Sequence, residues 1–363
     1  MKITIDAHKI MCQNKNNVIN GYFAWPSVAK LQDGRLAMVA SGFRYAHICP
    51  FGKTVICYSE DEGKTWSRPM PIIDTPLDDR DSGICTFGEK GVVVTSFNAS
   101  CDDQREYLNL TIGVHRKSDD EKAYILSHLK LVHQKCDESK FLGSTFVMSN
   151  DGGKTFDDDV RVIPVSSPHG PCAIDDNTLL YVGRKFTRDA DEKYHIAAYV
   201  LRSDKTFEEI GRIPDCEETD CGCEPYAFID GNKIIVHIRV SNEKFTLYQS
   251  ESYDMGKTFT QPHQILSDFG GAPAHIFKHS SGALISVYGV RSKPYGIKAM
   301  FSYDGGETWD IDNVIYETES SHDLGYPCSV ELSDGSILTV FYARTVDEGT
   351  PAVIMQTNWR FEK

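Results

Sequence analysis

Arginines recur at equivalent positions of a repeated β-strand pattern in this 363-residue chain. Each position closes the second strand of a predicted unit, and the six residues found there are Arg44, Asn98, Arg184, Arg239, Arg291 and Arg344. The chain is acidic, with a formal net charge of −14, so five arginines at six such positions stand out. Converging guanidinium groups bind planar anions by paired hydrogen bonds and predict a carboxylate site. Any one of them could instead pair with an acidic residue of a neighbouring unit.

Acidic, aromatic and imidazole side chains open the first strand of the same units. The residues at these positions are Trp25, Arg80 with Asp81, His169, Glu224, Ala272 and Tyr326. Because adjacent antiparallel strands meet end to end, the start of the first strand and the end of the second share one rim. A carboxylate, a phenol and several arginines on one rim favour an enzyme that binds an anionic ligand over a scaffold.

A turn motif repeated four times predicts the elements that position these side chains. Each copy has Ser, Asp, Gly, Thr and an aromatic residue at fixed offsets, and the copies are Ser59–Trp66, Ser149–Phe156, Ser252–Phe259 and Ser302–Trp309. Asp can accept hydrogen bonds from the turn backbone, Gly tolerates positive φ, and the aromatic residue returns to the core. Four copies indicate a repeat fold.

The spacing predicts an all-β protein, with one domain over residues 1–363 that forms a six-bladed β-propeller. The third blade carries a worn motif at Ser203–Phe207, and the sixth ends at Trp359 without a motif. Residues 1–12 alternate like a strand and could supply the outer strand of the sixth blade, which would remove a free edge from the ring.

The second blade is too long, and its excess lies at about residues 99–143. Ser118 and Glu121 form a capping-box pattern ahead of Ile125, Leu129 and Val132 at helical spacing, which predicts a small helical insertion on the rim. A strand pair with a charged loop is the alternative.

The repeated turn resembles the Asp-box of the sialidase superfamily, and the resemblance covers nearly the whole chain. The catalytic fold of that superfamily is a six-bladed propeller with its Asp-boxes on the face away from the active site. The resemblance therefore implies a retaining exo-glycoside hydrolase, acting on an acidic or unusual terminal sugar, with its site on the opposite face. Because one fold can carry several functions, the site is compared residue by residue.

The resemblance implies roles for residues of blades four and six. Glu224 and Arg239 match the Glu that opens the inner strand of blade four and the Arg that closes the next strand. Tyr326, in Asp323-Leu324-Gly325-Tyr326-Pro327, matches the tyrosine nucleophile of blade six. The resemblance implies that Tyr326 attacks the anomeric carbon while Glu224 accepts its proton. A plain Glu224–Arg239 salt bridge and a core tyrosine are the alternatives.

The chain departs from the superfamily at the catalytic acid and at the arginine triad. Ala24 stands where the first arginine of the triad is expected, in Phe23-Ala24-Trp25-Pro26. The loop expected to hold the acid/base aspartate, residues 45–52, offers His47 instead, and imidazole titrates in the useful range. Asp79 or Asp81 could serve as the acid in its place.

The anion site would therefore be rebuilt from other residues. Arg291, Arg44 or Arg184 would join Arg239, and Tyr295 and Lys298 lie where the third family arginine is expected. Arg80, Trp25 and His169 complete the predicted substrate-binding set, although histidines at such positions are often structural.

Metal and nucleotide cofactors find little support, and we expect no cofactor. The loop Asp215–Cys223 holds three thiols and several carboxylates. Because no histidine or fourth cysteine is near it in the sequence, we interpret it as a loop with free thiols and not as a metal site. No Gly-rich phosphate loop precedes a helix. The charge of −14 argues against nucleic acid and anionic membranes as partners, which leaves a small glycoside or oligosaccharide, with a homo-oligomer possible.

The cellular location is a separate expectation. Residues 1–8 alternate like a strand and lack the apolar stretch of a signal peptide, and no apolar run approaches 18 residues. Eleven cysteines without such a signal predict reduced thiols in the cytoplasm.

Three functions remain open on the sequence. The first is the sialidase-like exo-glycosidase that uses Tyr326 and Glu224. The second keeps the fold but pairs Glu224 with Asp79 or Asp81 on a non-sialic glycoside, an arrangement that resembles propeller exo-arabinanases. The third is a propeller that binds carbohydrate without catalysis.

Overall fold

Six antiparallel sheets make up the computed structural model, which describes residues 1–14, 20–108, 118–185, 195–215, 222–241, 245–267, 271–347 and 349–362. Strand β1 is Lys2–Cys12. Blade one has β2 (Tyr22–Lys30), β3 (Leu36–Arg44), β4 (Lys53–Ser59) and β5 (Met70–Ile73). Blade two has β6 (Asp78–Phe87), β7 (Gly91–Ala99), β8 (Ser144–Ser149) and β9 (Arg161–Ile163). Blade three has β10 (Val165–Ser166), β11 (Cys172–Ala173), β12 (Thr178–Lys185), β13 (Ile196–Arg202) and β14 (Phe207–Arg212).

The remaining strands complete the ring. Blade four has β15 (Gly222–Asp230), β16 (Lys233–Val240), β17 (Thr246–Ser252) and β18 (His263–Leu266). Blade five has β19 (Ala272–Lys278), β20 (Leu284–Val290), β21 (Tyr295–Ser302) and β22 (Asp310–Thr318). Blade six has β23 (Gly325–Glu331), β24 (Ile337–Ala343), β25 (Val353–Glu362) and β1. The predicted six-bladed all-β propeller is confirmed.

The first strand of the chain closes the ring, as the sequence predicted. Strand β1 pairs antiparallel with β25, from Lys2 opposite Glu362 to Cys12 opposite Ile354. Blade six is thereby built from both ends of the described chain, which covers the outer edge of β25. Hydrophobic clusters fill the interfaces between neighbouring blades all around the ring, and Trp359 is fully buried in one of them.

The four turn motifs form nearly identical hydrogen-bond patterns. In the first, Ser59 Oγ donates to Asp61 Oδ1 at 2.8 Å, and the Gly63 N–H donates to Ser59 Oγ at 2.7 Å. The Thr65 N–H and hydroxyl both donate to Asp61, at 2.8 and 2.7 Å, and these hydrogen bonds lower the Asp61 pKa to about 2. Gly63 has φ of 82°, which a side chain would disfavour.

Strand register places all four motifs on one face. Each motif starts where the third strand ends, beside the first or second residue of the second strand: Ser59 pairs with Leu36, Ser149 with Val92, Ser252 with Ile234 and Ser302 with Leu284. The second strands end at the other face, where Gly325 at the start of β23 pairs with Tyr342 near the end of β24. The predicted separation of Asp-boxes from the candidate site is therefore confirmed.

The insertion of blade two is helical. Helix α1 is Cys101–Tyr107, helix α2 is Asp119–Lys135, and a 3-10 turn covers Glu138–Lys140. The predicted capping box closes in both directions at the start of α2, where Glu121 N donates to Ser118 Oγ at 3.2 Å and Ser118 N donates to Glu121 Oε2 at 2.6 Å. Ile125, Leu129 and Val132 form the buried face of α2.

Leu129→Ala should loosen this insertion without opening the ring. Leu129 is fully buried among apolar residues of the insertion, so its truncation should cost about 2–5 kcal/mol. Faster amide hydrogen exchange confined to α2 would show the effect. The matched control is Leu131→Ala on the same helix, because Leu131 is 47% exposed and its truncation should change stability by about 0.5 kcal/mol at most. Equal effects of the two variants would contradict the packing described here.

Two further observations concern the described residues as a whole. None of their helices is long and apolar enough to cross a membrane. The nine cysteines that they include are all free thiols.

Candidate active site

Three residues that open inner strands share an unusual backbone. Trp25, Glu224 and Tyr326 have φ of 53°, 51° and 53°, and each precedes a proline. The strand register slips at each of these points, between Ala24 and Ser27 in the first case. A β-bulge redirects a side chain, and a left-handed non-glycine residue costs about 1–3 kcal/mol. Strain at three equivalent points of the ring is the pattern expected of a functional site.

Glu224 joins the predicted nucleophile to the predicted anion-binding arginine. The Tyr326 hydroxyl donates a hydrogen bond to Glu224 Oε1, and Arg239 Nη1 forms an ion pair with Glu224 Oε2. These residues come from blades six and four, so only the closed ring brings them together. The Glu224–Arg239 salt bridge offered as an alternative is present, but it coexists with the hydrogen bond from the phenol.

The electrostatics of this trio set the resting protonation states of the phenol and the carboxylate. Burial and the charge of Glu224 raise the pKa of Tyr326 well above its ordinary value. Burial also acts to raise the pKa of Glu224, but Arg239 and the hydrogen bond from Tyr326 outweigh it, so the pKa of Glu224 lies below 4.5. At neutral pH the phenol is therefore protonated, and an ionised carboxylate stands ready to accept its proton.

Arg291 lies against the same tyrosine and retains a donor for a ligand. Its Nε donates to the Leu324 carbonyl at 2.9 Å, and its Nη2 donates to the Tyr342 hydroxyl at 2.8 Å. Its guanidinium carbon is 5.7 Å from the centre of the Tyr326 ring. Among the described residues, Arg291 Nη1 and the buried Arg239 Nε have no hydrogen-bond partner. Two arginines with unused donors thus flank the phenol.

The Nδ1 atom of His47 is held by Asp323 and Tyr22. Its Nδ1 lies 3.3 Å from Asp323 Oδ1 and 3.0 Å from the Tyr22 hydroxyl, while no described residue hydrogen-bonds its Nε2. Its ring centre is 5.0 Å from that of Trp25, whose ring is 6.3 Å from Tyr326. Burial lowers the pKa of His47 below 6.5, although Asp323 opposes this effect. Among the described residues, Nε2 therefore remains available to a ligand.

Arg80 and Trp25 form the support for His47. Arg80 Nη1 donates to the His47 carbonyl at 2.8 Å, and its guanidinium carbon stacks 4.2 Å from the Trp25 ring centre. Trp25 is only 1% exposed, so its predicted role in direct substrate binding is replaced by that of a buried platform. The Arg80 side chain is 12% exposed, which leaves part of it available to a ligand.

Asp81 is a second carboxyl group in the electrostatic field of the trio. It is 6% exposed, and its Oδ1 has no hydrogen-bond partner among the described residues. Burial and the charge of Glu224 raise its pKa to about 6, against the influence of Arg80. One carboxyl with a raised pKa and another with a lowered pKa is a pattern found in acid/base pairs.

Two other predicted site residues form contacts only within the protein itself. Arg44 is fully buried and pairs with Asp78 at 2.7 Å, while also donating to the carbonyls of Ala46 and His47. Asp79 is fully buried, and its carboxylate accepts hydrogen bonds from Thr75 N and Oγ1 at 2.6 and 2.8 Å. Neither offers surface to a ligand, so both leave the candidate site. Burial nonetheless raises the pKa of Asp79 to about 7.

His169 lies deeper than predicted because the inner strand of blade three is interrupted. It falls between β10 and β11, where its Nδ1 contacts Ser27 Oγ at 2.9 Å. His169 is 2% exposed, its ring is 5.4 Å from that of His275, and burial lowers its pKa to about 3. It is a neutral histidine of the axial core rather than a surface group.

The remaining predicted residues lie around the rim. Arg184 acts electrostatically on the Cys223 thiol, next to Glu224. Tyr295 lies 6.4 Å from the His322 ring, beside Asp323, and Lys298 pairs with Asp312 instead of turning to the site. Residues 216–221 of the cysteine-rich loop lie outside the described residues, and the described ones form no cluster that could hold a metal ion.

Sequence reasoning missed a carboxylate that organises much of the site. Asp323 accepts hydrogen bonds from the Tyr22 and Tyr342 hydroxyls at 3.0 and 3.1 Å and from Arg344 Nε at 2.8 Å. It therefore links His47 to Arg291, since Tyr342 also accepts from Arg291. Asp323 lies three residues before Tyr326. Its role could not be predicted from the sequence pattern, because partners such as Tyr22 and His47 lie far away in the chain.

The comparisons with known proteins agree with this fold. Residues 128–339 match the BNR repeat-like domain family, which is more than half of the chain, and the protein therefore belongs to that family. A search of curated proteins finds no match. The predicted BNR-repeat propeller is thus confirmed at the level of family and fold, and solved sialidases share this fold.

Solved structures are similar over nearly the whole chain. A Dyadobacter fermentans protein of unknown function has a TM-score of 0.73 at 18% identity, with 99% of both chains covered. The NanB sialidase of Streptococcus pneumoniae has 0.62 at 13%, covering 96% of this chain and 70% of that one. A Trypanosoma rangeli sialidase has 0.58 at 16%, covering 99% of this chain but 58% of its own length. At such identities the similarity is one of fold.

Proposed function

We propose that this protein is a retaining exo-glycosidase that acts on a terminal sugar bearing a carboxylate. The hydrogen bond from Tyr326 to Glu224, with Arg239 and Arg291 beside it, is the observation that carries the proposal. A buried phenol with an ionised carboxylate as its base is suited to covalent catalysis. A T. rangeli sialidase is described as a covalent intermediate with 2,3-difluorosialic acid, which supports the same reaction type on this fold.

The reaction would proceed in two balanced steps. In the first, Tyr326 Oη attacks the anomeric carbon and passes its proton to Glu224, while the bond to the leaving oxygen breaks and His47 Nε2 protonates that oxygen. In the second, water attacks the anomeric carbon and gives a proton to His47, and Tyr326 recovers its proton from Glu224 as the bond to the sugar breaks. Two inversions give net retention.

The direct test is a screen of nitrophenyl and methylumbelliferyl glycosides that includes sialosides and uronides. NMR of the first product formed reports its anomer. Retention on a carboxylated sugar is the expected result. Turnover of neutral glycosides alone, or an inverted product, would contradict the proposal.

Arg239→Ala should weaken binding of a carboxylated sugar far more than binding of its neutral amide. A charge-assisted contact of this kind contributes about 1.5–3 kcal/mol, which calorimetry with both ligands would measure. Arg239→Lys is the matched control, because it keeps the charge but loses the planar guanidinium. Its affinity for the carboxylated sugar should lie between those of the wild type and Arg239→Ala. Equal losses for acid and amide would mean that Arg239 serves only to hold Glu224.

The pH dependence of kcat/KM should be bell-shaped with an acidic optimum. Glu224 must be ionised, so the rate falls as pH drops through its pKa, which Arg239 helps hold below 4.5. The acid must be protonated, so the rate falls as pH rises through the pKa of His47, which burial holds below 6.5. A rate that still rises above pH 7 would contradict these assignments.

A second candidate uses Glu224 and Asp81 as paired carboxylates on a non-sialic glycoside. The unpartnered Asp81 oxygen and its raised pKa favour it. Asp79, the other carboxylate considered for this role, is excluded by its complete burial against Thr75. If Asp81→Asn abolishes turnover while Tyr326→Phe does not, this second mechanism replaces the first.

A further inference from the structure

A cavity of about 920 Å3 lies between helix α2 and blade one, away from the propeller axis. Its size falls within the range of about 300–1,000 Å3 typical of sites for small organic ligands. Aromatic side chains from strand β3, the loop that follows it and helix α2 line the cavity, namely Phe43, Tyr45, Phe51 and Tyr124. Tyr124 is 66% exposed, although large aromatic side chains are usually buried. The mechanism described above assigns no role to the residues that line this cavity.

The loop of residues 45–52 forms a wall common to this cavity and to the candidate active site. His47 turns towards Asp323 and Trp25, whereas Tyr45, Pro50 and Phe51 line the cavity. The buried Arg44–Asp78 pair holds the backbone of this loop, since Arg44 Nη2 donates to the His47 carbonyl and Cys49 N donates to Asp78 Oδ2.

Helix α2 is attached directly to this wall. The Tyr45 hydroxyl donates to Glu121 Oε1, and the Phe51 ring lies 4.9 Å from His128 and 5.9 Å from Tyr124, measured between ring centres. The insertion of blade two therefore extends the protein surface beyond His47. Its contacts with Tyr45 and Phe51 hold the loop of residues 45–52 against helix α2.

The chemistry of the lining selects an uncharged, hydroxyl-rich ligand. Aromatic faces can pack against the C–H face of a sugar ring, while carboxylates and an imidazole at the rim can bind its hydroxyl groups. Three acidic side chains, Asp74, Asp120 and Glu121, outnumber the one lysine, Lys53, which already pairs with Asp74. An anionic group would be repelled here, in contrast to the arginines around Tyr326.

We propose that this cavity binds the leaving group of the substrate, a neutral sugar or disaccharide attached to the acidic terminal residue. This inference rests on the proposed function for its geometry. If the terminal sugar lies over Tyr326 and Glu224, the leaving oxygen meets His47, and whatever it carries extends outward past the loop of residues 45–52. Tyr45, Pro50 and Phe51 of that loop line the aromatic cavity. The substrate would then be an oligosaccharide with an acidic end rather than a simple glycoside.

Direct binding of lactose, followed by NMR titration, tests the cavity without any need for catalysis. We expect millimolar binding by the wild-type protein. Tyr124→Ala should weaken it about five- to tenfold, the loss expected for one aromatic contact. Leu131→Ala, the matched control, removes an exposed apolar side chain of the same helix outside the cavity and should leave binding unchanged. Absence of lactose binding, or equal effects of the two variants, would overturn the proposal.

Kinetics then separate this inference from the proposed function. The terminal sugar would be presented both as its lactoside and as its methyl glycoside. In Tyr124→Ala the ratio of kcat/KM for the lactoside to that for the methyl glycoside should fall about five- to tenfold. Hydrolysis with an unchanged ratio would remove the leaving-group site but keep the enzyme. Tyr124-dependent lactose binding without hydrolysis of any glycoside would keep the site but remove the enzyme.

Discussion

Tyr326→Phe is expected to lower turnover by several orders of magnitude while changing the dissociation constant of a substrate analogue little. The variant removes one oxygen atom, the proposed nucleophile, and keeps the ring that packs against Trp25 and Arg291. A group that acts only in the transition state affects kcat far more than binding. Stopped assays over long times, with equilibrium binding measured separately, would provide both numbers.

Glu224→Gln should have nearly the same effect, because the phenol then loses the carboxylate that accepts its proton. The two residues act as a unit, so the double variant should be little worse than either single one. Additive losses would mean that the two side chains contribute independently, and the proton-transfer pair would be wrong.

Covalent labelling provides an independent check of the nucleophile. A fluorinated analogue of the terminal sugar should attach to Tyr326 in the wild-type protein, as peptide mass analysis would show. Tyr326→Phe is the matched control and should remain unlabelled. Labelling of Asp81 instead would identify a carboxylate nucleophile and support the paired-carboxylate mechanism.

Much of the architecture could be predicted because it is repeated. In each Asp-box, one aspartate accepts a hydrogen bond from a backbone N–H group of its own turn. This pattern is local, and its four copies define the spacing of the blades. The closing strand and the start of α2 were also predicted, because alternation and the capping box are local patterns. The interruption of blade three at His169 was not predicted, since it depends on contacts across the axis with Ser27 and His275.

The site was predicted less evenly, for a physical reason. Topology alone places Glu224, Tyr326, Arg239 and Arg291 on one face, and the structure brings them into contact. Topology does not say how far a side chain reaches, so Arg44 also satisfied the rule although it is buried against Asp78. Asp323 shows the opposite failure, a site residue that topology does not identify. No local sequence pattern distinguishes it, yet four polar side chains from blades one and six contact its carboxylate.

His47→Gln is expected to reduce hydrolysis by about 10²- to 10⁴-fold for substrates with poor leaving groups. A sugar or alkyl oxygen must be protonated as it departs, and Nε2 of His47 is the donor in the proposed mechanism. A nitrophenyl group leaves without that help, so the variant should lose much less activity on the nitrophenyl glycoside. The fall in rate as pH rises through the pKa of His47, which burial holds below 6.5, should also disappear for the first step, because the group that titrates has been removed.

Asp81→Asn is the matched comparison, because Asp81 is the other group whose pKa, about 6, suits a general acid. With His47 as the acid, Asp81→Asn should affect nitrophenyl and sugar leaving groups alike, through binding or through the charge near Glu224. A reversed pattern, in which Asp81→Asn alone discriminates between leaving groups, would transfer the acid role to Asp81. His47, with its Nδ1 held by Asp323 and Tyr22, would then be a positioning residue for the wall of the site.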